Sequence, residues 1–155
     1  MDALIVFLAL SQPSTIQPIV GREFIISTPY AEITSILEEC ILPEGWSGWG
    51  KSNGGETTCF SYIKIRKFNQ PVAFLMRVSA WNNLAEVESI IYDPLKNQIV
   101  IQGGQGEASD GYIAILKFSK GELSQRHVSS RNFPHNWQEV TNYKFTDPGD
   151  DDPNF

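Results

Sequence analysis

The feature that most constrains this chain is a succession of short β-branched and aromatic segments between residues 57 and 129, separated by turns of a few residues. Thr57 to Arg66 forms the first, and Asn69-Gln70-Pro71 turns it into a second at 72–81. There Val72, Phe74, Met76, Val78 and Ala80 recur at period 2, the pattern of a strand with one buried face. Further strands are expected at 86–92, 98–102, 111–118 and 122–129, with Asp93-Pro94-Leu95-Lys96-Asn97 and Ser119-Lys120-Gly121 as turns. Parallel neighbours need a crossover of about a dozen residues or more, so strands joined this closely must run antiparallel.

Upstream the period changes. Glu23-Phe24-Ile25-Ile26-Ser27 reads as a short strand, after which Thr28 suits an N-cap and Pro29 the first helical position, where its missing N–H costs nothing. Ile33, Ile36, Leu37, Cys40 and Ile41 follow at i, i+3, i+4, i+7 and i+8, one apolar stripe of an amphipathic helix, with Glu32, Glu38 and Glu39 off it. Pro43 ends that helix. Downstream, 134–140 suggests a short helical turn and 142–145 a final strand. The expected architecture is therefore α+β: one N-terminal amphipathic helix packed on an antiparallel β-meander of about six to eight strands. It forms a single domain over residues 1–146, followed by an acidic flexible tail at 147–155 that carries Asp147, Asp150, Asp151 and Asp152.

Composition narrows the function classes. With 155 residues, 41% of them apolar, the chain can bury a core without metal or disulfide staples. Its 12 basic and 18 acidic side chains argue against a general nucleic-acid binder, which presents a clustered basic face. Four of the surplus carboxylates lie in the tail, so the body is nearly balanced. No apolar run approaches the ~20 residues that span a bilayer. The apolar start, Met1 to Leu10, lacks the positive n-region of a secretory signal and reads as a buried first element. Cys40 and Cys59 are too few for a disulfide framework and have no C-x-x-C spacing. A single bridge fits the count, but both positions suit a reduced Cys packed as a small hydrophobe, which points to the cytoplasm.

The least ordinary segment is 44–56, with five glycines, Trp46 and Trp49. Within it Gly45-Trp46-Ser47-Gly48-Trp49-Gly50-Lys51-Ser52 satisfies the letters of a phosphate-binding loop. The mechanics need a buried strand before the loop and a helix opening at Lys-Ser, so that backbone N–H groups and the helix dipole meet the phosphates. Here the loop follows Pro43 and leads through Gly54-Gly55 into a strand, so coincidence is the better reading. Gly103-Gly104-Gln105-Gly106 fails the same test, because it too opens a strand. His127 and His135 lack metal-ligand spacing, and Asp150-Asp151-Asp152 lacks the pattern of a calcium loop. Glu86 and Glu88 could form an acid/base pair, although a solvated sheet face explains their spacing equally. No catalytic set, metal or cofactor is expected.

What remains is a binding surface. Trp46 and Trp49 sit in a loop with few neighbours, and Trp gives large contact area for little entropy loss; the competing reading folds both back as a lid. Surplus carboxylates favour a basic protein partner, a toxin or enzyme domain, over a neutral sugar. In size, acidity and lack of catalytic motifs the chain resembles the immunity proteins that bacteria make against secreted toxins, without sharing a quotable motif. The leading expectation is thus an inhibitor module that neutralises a basic, nuclease-like bacterial toxin. Its contact candidates are Trp46, Trp49, Glu86, Glu88, Asp110 and Glu122. The alternative is a ligand-binding or enzymatic domain that uses the Trp loop as a pocket wall, nucleotide included.

Overall fold

The computed structural model describes residues 12–29, 31–51, 54–67, 81, 83–104, 111–119, 122–134 and 136–143, and for Ala31, Ile65, Lys67 and Glu122 the backbone alone. Nine strands are seen among them: β1 (Ser14–Ile16), β2 (Glu23–Ser27), β3 (Ala31–Leu42), β4 (Gly55–Lys67), β5 (Val87–Asp93), β6 (Gln98–Gly103), β7 (Tyr112–Ser119), β8 (Glu122–Ser130) and β9 (Glu139–Asn142). They form a six-stranded sheet, β1-β5-β6-β7-β8-β9, and a three-stranded sheet, β2-β3-β4. Every pairing is antiparallel.

The expected α+β class is therefore incorrect, since no α-helix occurs among the described residues and the segment assigned to an amphipathic helix is β3. The same residues satisfy two periods. Ile33, Ile36, Leu37, Cys40 and Ile41 match a helical stripe, but Ile33, Ser35 and Leu37 alternate inward and are fully buried, whereas Ile41 is 79% exposed. Three of those apolar residues are isoleucines, stiff at χ1 and suited to a pleated surface. The deciding influence is long-range: β3 lies between β2 and β4, pairing with β4 along its whole length and with β2 from Glu32 to Ile36. Thr28 and Pro29 precede it in a tight connection rather than capping a helix. The helical turn expected at 134–140 is likewise replaced by turns and by β9, which begins three residues before the expected final strand.

The meander was legible where it lies in the larger sheet. β5 to β8 match their expected limits within a residue or two, and the Asp93 carboxylate accepts from the N–H groups of Leu95 and Lys96 to close the β5–β6 turn. The expected strand at 72–81, the opening run 1–10, the loop 105–110, His135 and the tail 147–155 lie outside the described residues, except for Trp81.

The two sheets enclose one core. Phe24, Ile26, Ile33, Leu37 and Ile63 come from the smaller sheet, and Ile90, Ile99, Ile101, Tyr112, Ala114, Leu116 and Val128 from the larger. Alternation along each strand supplies these residues, as in β7, where Tyr112, Ala114, Leu116 and Phe118 point inward. Trp81, 1% exposed, fills the core beside Phe60, whose ring meets it edge-on at 5.0 Å.

The cysteines are joined. Cys40 and Cys59 form a disulfide between β3 and β4 with their Cα atoms 6.0 Å apart. Cys40 stands opposite Thr57 and Cys59 opposite Glu38, so the bridge runs diagonally across the ladder. It ties the base of the Trp-bearing connection and replaces the expected pair of reduced cysteines. A period-3.6 reading put Cys40 on a helix, away from any partner strand.

Candidate functional site

The connection from β3 to β4 folds back over the end of the core. Trp49 N–H donates to the Asn83 carbonyl at 2.7 Å, and Ala85 N–H donates to the Trp49 carbonyl at 2.8 Å. Gly50 adopts φ +98°, and a Cβ there would lie 2.2 Å from the Ala85 carbonyl oxygen, so only glycine permits this approach. The Trp49 indole N–H donates to a carboxylate oxygen of Glu139 at 3.0 Å. That carboxylate also meets Arg126 at 2.9 Å, while Arg126 donates to the Asn83 side-chain oxygen at 2.6 Å. Arg126 is a core residue, 3% exposed, and Glu139 from β9 is its counter-ion. Trp49 is thereby held half-buried, its polar edge occupied.

Trp46 lies differently. Its ring covers Gly48 so closely that a Cβ there would fall 2.1 Å from it. It walls a cavity of about 230 Å³ together with Leu42, Cys59, Phe60, Trp81, Asn83 and Leu84. The phosphate-loop letters in this segment join two antiparallel strands, and the next element among the described residues is β4, which begins at Gly55.

Glu86 and Glu88 meet in a different place. Both line a cleft of about 560 Å³ with Pro18, Val20, Thr57, Thr58 and Val87. A second cavity of about 500 Å³ shares Thr57 and Thr58 and adds Glu39, Cys40, Ile41 and Glu56. Irregular backbone aims both nominated carboxylates. Glu86 has φ +49° and is pinned there: its N–H donates to the Thr58 carbonyl, its carbonyl accepts from Gly104, and its carboxylate accepts from the Thr57 hydroxyl at 3.0 Å. Such a conformation costs a non-glycine residue roughly 1–2 kcal/mol and persists only when neighbours impose it. Glu88 is the extra residue of a bulge, since Val87 pairs with Gly103 and Ser89 with Gln102. Its carboxylate meets Arg131 at 2.7 Å, and Arg131 also donates to the Gly103 carbonyl.

Of the remaining candidates, Asp110 lies outside the described residues, and Glu122 is described only as the first residue of β8. Neither is brought to the cleft by what is described. Sequence reading missed Glu39 and Glu56, because the first was placed on the polar flank of a helix and the second in a loop. It also missed the Arg126–Glu139–Trp49 cluster, whose members are far apart in sequence. A charged residue at an inward position of β8 was the available signal for Arg126.

Among the described residues three groups have displaced titrations: the Tyr62 phenol is raised, chiefly by its hydrogen bond to Glu23, and Tyr112 and His127 are the others. Burial pushes the Tyr112 phenol far above its usual range, and its hydroxyl donates to the Ala85 carbonyl at 2.9 Å. The His127 imidazole is held below 6.5, first by desolvation and then by Lys117. Its ring packs edge-on against Trp137 at 5.2 Å, outside the cleft. Among the described residues no three His, Cys, Asp or Glu side chains are grouped to hold a metal ion, and no helix is long and apolar enough to cross a membrane. Comparison with protein-family models, curated proteins and solved structures finds no match to this chain.

Proposed function

We propose that this chain is a protein-binding inhibitor module rather than an enzyme, and that it engages a basic protein through the carboxylate-lined cleft. The toxin-neutralising, immunity-type role is the setting that suits such a module. The observation that carries this reading is the cleft itself, where Glu39 of β3, Glu56 of β4, Glu88 of β5 and Glu86 just before β5 line two adjoining cavities. Pro18, Val20 and Ile41 add apolar walls, with Val20 48% and Ile41 79% exposed. Carboxylates over apolar walls suit a lysine- or arginine-bearing segment, whose aliphatic stem covers apolar surface while its head meets charge. Trp49 contributes by bracing the loop, and Trp46 stands at a separate cavity.

The disulfide alters where this encounter is placed. The cytoplasmic expectation drew on an opening run without a signal's positive n-region and on cysteines read as reduced; the Cys40–Cys59 bridge instead supports an oxidising compartment as the setting of the encounter.

Co-purification with the product of the neighbouring gene, and binding to it measured at 50 and 300 mM salt, test the proposal. Association should slow steeply with salt, and Glu86→Gln with Glu88→Gln should slow it further. No basic partner, or binding indifferent to both changes, would count against it. A second reading, a small ligand beside Trp46, draws on the aromatic cavity. It predicts a saturable quench of Trp fluorescence by a nucleotide or an oligosaccharide.

A further inference from the structure

We propose that the Cys40–Cys59 disulfide is a thiol–disulfide exchange site entered through the acidic cleft, and that it discriminates among thiols by charge. The two half-cystines open on opposite surroundings. Both half-cystines are half-buried, but Cys40 lines the larger cavity of about 500 Å³, with its carboxylates, whereas Cys59 lines the smaller aromatic cavity beside Trp46. In the proposed exchange the incoming thiolate attacks Cys40 Sγ from the larger, carboxylate-lined cavity.

Carboxylates surround that approach. Glu39 and Glu56 line the same cavity, and Glu38 stands opposite Cys59 in the ladder. The Glu86 carboxylate accepts from the hydroxyl of Thr57, the residue opposite Cys40. Each such charge, about 8 Å from an incoming unit charge in water, changes its local concentration roughly twofold before salt screening. Reagents that carry extra negative charge are repelled, and reagents whose thiolate is balanced by an ammonium group are not.

The exchange is a two-electron reduction of the protein. A thiolate attacks Cys40 Sγ, the Sγ–Sγ bond breaks, and the electron pair departs on Cys59 Sγ, which takes a proton from solvent. A second thiolate attacks the reagent sulfur of the mixed disulfide, and Cys40 leaves and is protonated. The reagent is oxidised to its own disulfide. Reduction releases the tie at the base of the β3–β4 connection, so the wall that Cys59 gives the aromatic cavity loosens around Trp46. The site thus couples the redox state of the cleft to the shape of the Trp46 cavity. It does not depend on the identity, or the existence, of a protein partner.

The test measures reduction rates of the folded, full chain by thiol alkylation and mass spectrometry, with three small thiols. Their thiolate forms carry net charges of zero (cysteamine), minus one (2-mercaptoethanol) and minus two (mercaptoethanesulfonate). Each rate is divided by that thiol's rate with an uncharged model disulfide. The expected order is cysteamine fastest and mercaptoethanesulfonate slowest, by about fivefold per unit charge at low salt, shrinking to less than twofold at 1 M salt. Glu39→Gln with Glu56→Gln should flatten the order, and Trp emission should shift red as reduction proceeds. Equal normalised rates overturn the proposal, as does reduction that keeps pace only with global unfolding. Unchanged emission after full reduction overturns the coupling to Trp46.

Discussion

Removing the Glu139 carboxylate should destabilise this protein more than its position on a short edge strand suggests. Arg126 is almost fully buried, and Glu139, with a side chain 28% exposed, supplies its counter-charge at 2.9 Å. At an effective dielectric constant of 20, the gross attraction at that distance is about 6 kcal/mol, most of it offset by desolvation of the two groups. Breaking a buried pair from one side costs roughly 3–5 kcal/mol, and partial exposure of Glu139 places Glu139→Leu near the lower end, at about 3 kcal/mol. The same change removes the acceptor of the Trp49 indole N–H, a loss of about 1 kcal/mol already included when the carboxylate goes. Glu139→Gln, which keeps an oxygen for that indole, should cost about half as much as Glu139→Leu. Arg126→Met should also destabilise, but the double variant should be more stable than the sum of the singles requires, because no charge is left buried. Urea unfolding followed by circular dichroism gives each value. A cost below about 1 kcal/mol for Glu139→Leu, or strict additivity in the double variant, would refute the view that Arg126 depends on this carboxylate.

Two further expectations concern backbone and proton. Because Glu86 is held at φ +49°, Glu86→Gly should be more stable than Glu86→Ala by about 1 kcal/mol in thermal or urea unfolding; the reverse order would mean that the conformation is unstrained. His127 should titrate below 6.5 in the folded state, as read by NMR of its ring protons. Its folded pKa is depressed, so its contribution to stability is fully present above pH 6.5 and is lost as pH falls from there through the folded value. His127→Gln should remove that part of the acid sensitivity, and a midpoint at or above 6.5 would contradict the desolvated environment.

The strands of the larger sheet could be read directly because their determinants are local. Alternation along β7 and the turn residues at Asp93 act within a few positions, and a connection of a few residues leaves antiparallel pairing as the only geometry. For β3 the local signals were evenly divided. Ile33 and Leu37 satisfy both a helical and a strand period, Ile36 only the helical one, and the choice belongs to β4 and β2, which offer backbone partners to this segment. Recognising that one strand would have brought Cys40 alongside β4 and suggested the bridge to Cys59. The carboxylates divide along the same line. Glu86 and Glu88 could be picked out by spacing, but their setting in a cleft depends on a left-handed residue and a bulge, which neighbouring strands impose. Glu39 and Glu56 come to the adjoining cavity only through the β3–β4 register. Glu139 meets Arg126 on the neighbouring strand of its own sheet and Trp49 from the β3–β4 connection, a grouping that no local pattern encodes. From the sequence alone come the strand-rich character, the antiparallel order, the surplus of acid and the unusual Trp loop. Tertiary structure decides which face of β3 is buried, that its cysteine is bridged, and where the carboxylates converge, because each depends on atoms brought together from distant parts of the chain.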